Sequence, residues 1–280
     1  MEKITHTLAR EGNGNVQITF TLPWAMIEKA KKEALETLAK DTEVAGFRKG
    51  KAPLDLAEKK ISENTVIEKA LSTLLPKALA DAIVEYKVKP AVYPKFELVS
   101  AKESEVWQVR AVTCELPAVE LGDYKKIVAG ELRSKSLVKE PTKEEKEQIV
   151  VGTLLESVKL DIPHLLIHDE ADSRISNLLA RIEKLGLSLE SYLTSIGKTP
   201  ETLRQDYEKQ AKEAIALDLI LNKIAESENI KVKEEDVENM IKAAKADPNV
   251  KGNLDTPEQR QIIGSILKRR YALDSLITQV

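Results

Sequence analysis

The spacing of apolar residues changes character once along this chain, and that change limits what it can fold into. Ile4, His6 and Leu8 alternate with polar positions, and after Glu-Gly-Asn-Gly-Asn (11 to 15) the same even-numbered parity resumes in Val16, Ile18, Phe20 and Leu22. Period two on both sides of a glycine-rich turn predicts a hairpin with one buried face. Pro23 then opens a three- and four-residue spacing through Met26, Ile27, Ala30, Ala34, Leu35 and Leu38, ending in Lys40-Asp41-Thr42-Glu43. Further helical stretches begin near Pro53 and run from about Ser62 to Tyr86. From Phe96 to Leu116 β-branched and aromatic residues return (Val106, Trp107, Val109, Val112, Thr113), with a turn at Ala101-Lys102-Glu103. Residues 1–116 therefore predict β-β-α-α-α-β-β, an α+β domain.

The remainder is read as helix alone. Residues 117–141 carry Gly, Pro and mixed charge without sustained periodicity and are expected to be a linker. Beyond them, Thr142-x-x-Glu145 and Thr256-Pro257-Glu258-Gln259 are capping boxes, and Thr199-Pro200 places a cap before a proline at the first helical position. Ile175, Leu178, Leu179, Ile182 and Leu185 form one stripe; Leu203, Tyr207, Gln210, Ala214, Leu217, Leu221 and Ile224 follow a near-heptad path. A helix over 200–226 would be about 40 Å long. The expectation for 142–280 is an all-α, elongated domain with helical arms.

Composition excludes several classes of function. Lys plus Arg number 43 and Asp plus Glu 46, so the net charge is only -3, and the parts before and after residue 120 are each close to balance. That argues against an indiscriminate nucleic-acid binder and against specific DNA binding. Cys114 is the single cysteine, which excludes an internal disulfide framework and multi-cysteine metal sites and suits a reducing compartment. No apolar run approaches signal-peptide or membrane-span length, so a soluble cytoplasmic protein with no membrane partner is expected.

The most informative segment is Gly46-Phe47-Arg48-Lys49-Gly50-Lys51-Ala52-Pro53, between two helical stretches. It combines three cations, no acid and one large apolar ring. An ordinary solvated loop with Phe47 tucked into its own domain is the bland alternative. The functional one is a presented tip, with two glycines permitting a tight turn and Pro53 starting the next helix. This octapeptide resembles the ribosome-docking signature of the trigger factor family of bacterial ribosome-associated chaperones, G-F-R-x-G-K-x-P, with every fixed position present. The resemblance implies that Phe47, Arg48 and Lys49 contact a ribosomal protein near the nascent-chain exit, while Gly46, Gly50, Lys51 and Pro53 shape or support the loop. Asp161-Ile162-Pro163 before a polar-rich amphipathic helix is similar to the family's entry into its C-terminal arm region. Family members usually carry a peptidyl-prolyl isomerase domain between the two halves; here the stretch of about 25 residues over 117–141 stands in its place.

Other residue groups carry less. His164 and His168 are four apart on an expected helix, as metal ligands require, but H-E-x-x-H is absent and no third ligand is identifiable. They are read as ordinary helix-start histidines, and no metal or other cofactor is expected. His6 is expected to be a packed core residue, and Trp24 and Trp107 to be core or interface packing. No Gly-rich phosphate loop, G-x-S-x-G elbow or Cys/His nucleophile pair appears, so no catalytic residue is assigned. The reading is an ATP-independent, ribosome-associated chaperone holding nascent or unfolded polypeptides through dispersed apolar surface, with 1–116 docking and 142–280 holding. Client-contacting residues are not assignable from sequence, because most apolar positions in the long helices are expected to build the core. The alternatives are a peptidyl-prolyl isomerase, the family's common enzymatic label, and a ribosome or RNA adaptor without chaperone activity.

Overall fold

The computed structural model describes residues 3–51, 53–137, 140–245 and 255–278. Two compact units divide between Leu116 and Pro117.

In the first unit, β1 (Thr5–Arg10), β2 (Asn15–Leu22), β3 (Lys95–Ser100) and β4 (Trp107–Cys114) form one antiparallel sheet in the order β1-β2-β4-β3. The parity seen in sequence decides which face is buried. His6 lies opposite Phe20, Phe20 opposite Val109 and Leu98 opposite Val109, so one face collects the apolar side chains. Burial alternates strictly along β2, with Val16, Ile18, Phe20 and Leu22 almost solvent-free. Each such side chain contributes about 1.5–3 kcal/mol by leaving water.

Helices α1 (Trp24–Asp41), α2 (Leu54–Glu58) and α3 (Glu63–Tyr86) follow the expected order. Ile27, Leu75, Ala78, Leu79 and Ala82 close over the sheet face. A second, smaller cluster of Ala30, Ala34, Val66 and Ala70 holds α1 against α3, where alanines permit close approach of the two backbones. Ser62 caps α3 by accepting from the Thr65 amide, and Lys87 ends it in the left-handed conformation. Pro76 lies within α3 on its exposed side, so the Ser72 carbonyl that loses its helical donor belongs to an exposed residue.

The residues expected in the core are there, with one nuance. Trp107 is buried and donates its indole N–H to the Lys102 carbonyl, 3.0 Å away, with Trp24 beside it. His6 is half-buried, edge-on to both Phe20 and Tyr86; the Tyr86 hydroxyl donates to the His6 carbonyl at 2.9 Å.

The second unit is helical: α4 (Tyr124–Ser136), α5 (Lys143–Ser157), α6 (His164–Lys184), α7 (Leu189–Ile196), α8 (Pro200–Ser227), α9 (Glu234–Lys245) and α10 (Pro257–Thr278). Its main core joins Val128, Leu132, Leu154, Ile220, Ile224 and Leu276 from α4, α5, α8 and α10. A separate cluster of Ile162, Ile167, Ala171 and Ala211 packs the start of α6 on α8. The Thr142 capping box is fully formed, and Thr199 caps α8.

The linker expected over 117–141 is corrected: α4 occupies most of it and belongs to the core. Its buried residues, Tyr124, Val128 and Leu132, are spaced exactly four apart, a single column on one helix side. Ile127 supplies an apolar i+3 neighbour but is 45% exposed, and Lys125, Lys126, Gly130 and Glu131 interrupt the pattern, so the apolar stretch is short, from Tyr124 to Leu132. Two residues of this stretch, 138 and 139, lie outside the described residues.

The 175–185 stripe is only partly covered. Of its five apolar residues only Ile182 is buried; Leu179 is 39% exposed and Leu185 74%. The packed contact of α6 with α8 is concentrated on its first half, and the periodicity continues past the point where a partner surface ends.

Candidate functional site

The 46–53 segment bridges the end of α1 and the start of α2 as two consecutive tight turns. The Phe47 amide donates to the Val44 carbonyl at 3.0 Å, and the Lys51 amide donates to the Arg48 carbonyl at 2.9 Å. Each turn carries a glycine at its third position with positive φ, Gly46 at 86° and Gly50 at 74°. Type II turns require that conformation, and side chains resist it. The two glycines are not equivalent. A Cβ on Gly46 would meet open space, whereas one on Gly50 would stand 2.7 Å from the Lys40 carbonyl oxygen. Gly50 thus packs the loop backbone onto the last turn of α1.

The frame under the loop is equally specific. Thr42 donates its hydroxyl to the Leu38 carbonyl, and Lys60 reaches back from beyond α2 to the Glu43 carbonyl. Pro53 holds the extended conformation that launches α2, whose Ala57 is fully buried. Ala52 lies outside the described residues.

Phe47 is 45% exposed, so the loop presents its ring instead of burying it. Arg48, Lys49 and Lys51 are exposed around it. Lys49 pairs with Asp41 at 3.5 Å, both partners well solvated, a contact worth little. Arg48 and Lys51 have no carboxylate partner among the described residues. Leu56, on α2, is 39% exposed and adds an apolar group that the sequence reading did not single out. An exposed ring flanked by uncompensated cations fits a partner that offers an apolar pocket edged by acceptors.

A family model described as bacterial trigger factor protein matches residues 4–149, and a second, described as its C-terminus, matches residues 121–278. The chain belongs to the trigger factor family. The two matched regions overlap, so no unmatched stretch lies between them for a further domain of ordinary size. Trigger factor of Enterococcus faecalis is 32% identical over 118 residues, covering 42% of this chain and 28% of the relative. That of Streptococcus agalactiae is 37% identical over 108 residues (39% and 25%), and that of Streptococcus equi subsp. equi 31% over 154 residues (55% and 34%). The matched stretch thus spans about a third or less of these trigger factors' length. A solved structure from work on promiscuous substrate recognition in folding and assembly activities of the trigger factor chaperone aligns over 98% of this chain and 99% of its own. Its TM-score is 0.64 at 13% identity, and it shares the fold.

The remaining sequence candidates do not assemble into a second site. His164 and His168 lie with ring centroids 6.3 Å apart, and His168 Nδ1 is 3.0 Å from Glu208 Oε1 on α8. Among the described residues no group of three or more His, Cys, Asp and Glu side chains converges as a metal site would need, and no helix is long and apolar enough to cross a membrane.

The structure does reveal exposed apolar side chains that the sequence reading did not single out as surface. Leu179 on α6, Leu185 and Leu187 between α6 and α7, and Leu189 and Ile196 on α7 are each exposed. Met240 on α9 and Ile262 and Ile266 on α10 are likewise exposed.

Proposed function

We propose that this chain is an ATP-independent chaperone of the cytoplasm that docks on the ribosome through the Gly46–Pro53 loop and holds nascent or unfolded polypeptides on exposed apolar helix surface. The observation that carries the docking reading is the loop itself, with Phe47 presented and Arg48 and Lys51 uncompensated on a frame fixed by Gly46 and Gly50. Burying the ring is worth about 1.5–3 kcal/mol and each charge-assisted hydrogen bond about as much. A micromolar dissociation constant, about -8 kcal/mol, would permit cycling.

Holding is assigned to the helical unit, where the exposed leucines of α6 and α7 and the exposed face of α9 and α10 offer many weak contacts. Family membership supports a folding chaperone, and the overlap of the two family matches supports a chain without an isomerase module. Replacing Phe47, Arg48 and Lys49 together with Ala is expected to abolish co-sedimentation with ribosomes while leaving the fold intact. Undiminished co-sedimentation would sink the docking assignment. The same preparation is expected to show no acceleration of X-Pro isomerisation in a protease-coupled peptide assay; a rate that scales with protein concentration would restore the enzymatic reading.

A further inference from the structure

A groove of about 500 Å³ runs between α6 and α8, lined by Arg174, Asn177, Leu178, Arg181, Lys184 and Tyr207, with Ala180 at its edge. At 100° per residue, Arg174, Leu178, Arg181 and Leu185 fall in one column along α6, with Asn177 and Lys184 beside it. Cations and leucines therefore alternate along a single wall, and Tyr207 of α8 stands as the other.

The charge of this groove is not cancelled locally. Arg174 is engaged by Glu170, one turn back, at 2.7 Å. Arg181 and Lys184 have no carboxylate partner among the described residues. The neighbouring acids are committed elsewhere: Asp172 and Glu208 to Arg204, and Asp206 to Lys198. Glu183 projects from the opposite side of α6 by its position in the helical turn. The groove opens toward the end of the helix where Leu185 is 74% exposed and Leu187 follows at 50%.

We propose that this groove selects polypeptide segments in which acidic residues are interleaved with large aliphatic ones. The acids would pair with Arg181 and Lys184 while the aliphatics cover Leu178 and Leu185. The inference rests on the holding reading and names the client chemistry that one part of the surface prefers. A polypeptide fits better than a nucleic-acid strand, because a phosphate backbone would meet leucines at alternate positions and leave them uncovered.

The test uses the full chain and three labelled twelve-residue peptides of identical Leu content, whose interleaved positions are Glu, Gln or Lys. Fluorescence anisotropy at about 50 mM salt is expected to give the Glu peptide a dissociation constant about five- to tenfold lower than the Gln peptide, with the Lys peptide weakest. That spread is expected to shrink as salt rises and the Debye length shortens. Arg181→Gln with Lys184→Gln is expected to bring the Glu-to-Gln ratio below two. Lys209→Gln with Lys212→Gln, an equal charge change on exposed positions of α8 turned away from Tyr207, is expected to preserve it. Equal affinities for the three peptides, or a preference that survives the Arg181 and Lys184 changes, overturns the inference and leaves the holding reading standing. Failure of all three to bind overturns both. Displacement of the Glu peptide by a single-stranded oligouridine at concentrations below those of unlabelled Glu peptide reassigns the groove to nucleic acid.

Discussion

At the scale of single residues, Gly50 and Gly46 separate two demands that a sequence motif merges. Both need positive φ, but only Gly50 also needs the absence of a Cβ against the Lys40 carbonyl oxygen. Gly46→Ala is expected to cost about 1 kcal/mol of local strain, and Gly50→Ala about 2 kcal/mol or more. Amide hydrogen exchange reads the difference directly. The Lys51 amide, which donates to the Arg48 carbonyl, is expected to exchange roughly thirtyfold faster in Gly50→Ala and nearly unchanged in Gly46→Ala. Equal effects would show that the close approach to α1 does not anchor the loop. Glu115 makes a second residue-scale case. Its carboxylate accepts the Lys89 amide at 2.9 Å and the Arg10 guanidinium at 3.1 Å, tying the end of β4 to β1 and to the segment after α3. The Lys89 amide foremost, then Arg10, holds its carboxyl below the ordinary glutamate range against the opposing effect of partial burial. Because the folded-state value is depressed, its contribution is present above the ordinary value and lost as pH falls through the lowered one. Glu115→Gln is expected to destabilise the first unit by about 1 kcal/mol at pH 7, with the gap closing toward pH 3. Both tryptophans lie in that unit, so urea unfolding followed by indole fluorescence isolates it; a gap independent of pH would refute the charge-based account.

At the scale of elements, what could be read in the sequence followed how wide an apolar stripe each element buries. The four strands, α1 and α3 were legible because β2 alternates over eight residues and α1 carries a broad apolar face. Helix α4 was not, because its apolar residues span only Tyr124 to Leu132, with Lys125, Lys126, Gly130 and Glu131 set among them. The second half of α6 marks a different limit: its stripe was legible, yet periodicity reports an apolar face and not whether a partner covers it. Leu185→Ser with Leu187→Ser is accordingly expected to leave the thermal transition within a degree or two, since both side chains are already in water. The same pair is expected to lower suppression of aggregation of a chemically denatured client by at least half. A large fall in melting temperature would place these leucines in a packed interface and withdraw them from the holding surface.

At the scale of the whole molecule, the two assigned tasks reside in units with separate cores. The 46–53 loop belongs to the first unit, and the exposed leucines of α6, α7 and the turn between them are carried by the second. The 46–53 loop was legible as a presented tip, because a turn that needs glycine twice and presents one aromatic ring leaves a short, dense signature. The exposed apolar side chains of the helical unit were not, because sequence cannot tell such Leu and Ile residues from core. This asymmetry bears on how the activities should separate. On the proposed reading, docking concentrates its affinity in a few side chains and is expected to collapse when Phe47, Arg48 and Lys49 are changed together. Holding, on the same reading, spreads its affinity over many contacts that exchange quickly, so no single loop is expected to control it. The triple loop variant, folded and unable to co-sediment with ribosomes, is therefore expected to suppress aggregation of a denatured client within about twofold of the unchanged chain, with or without ATP. Should it protect no better than an inert protein of the same size, client capture would depend on the loop, and the assignment of holding to the helical unit would fall.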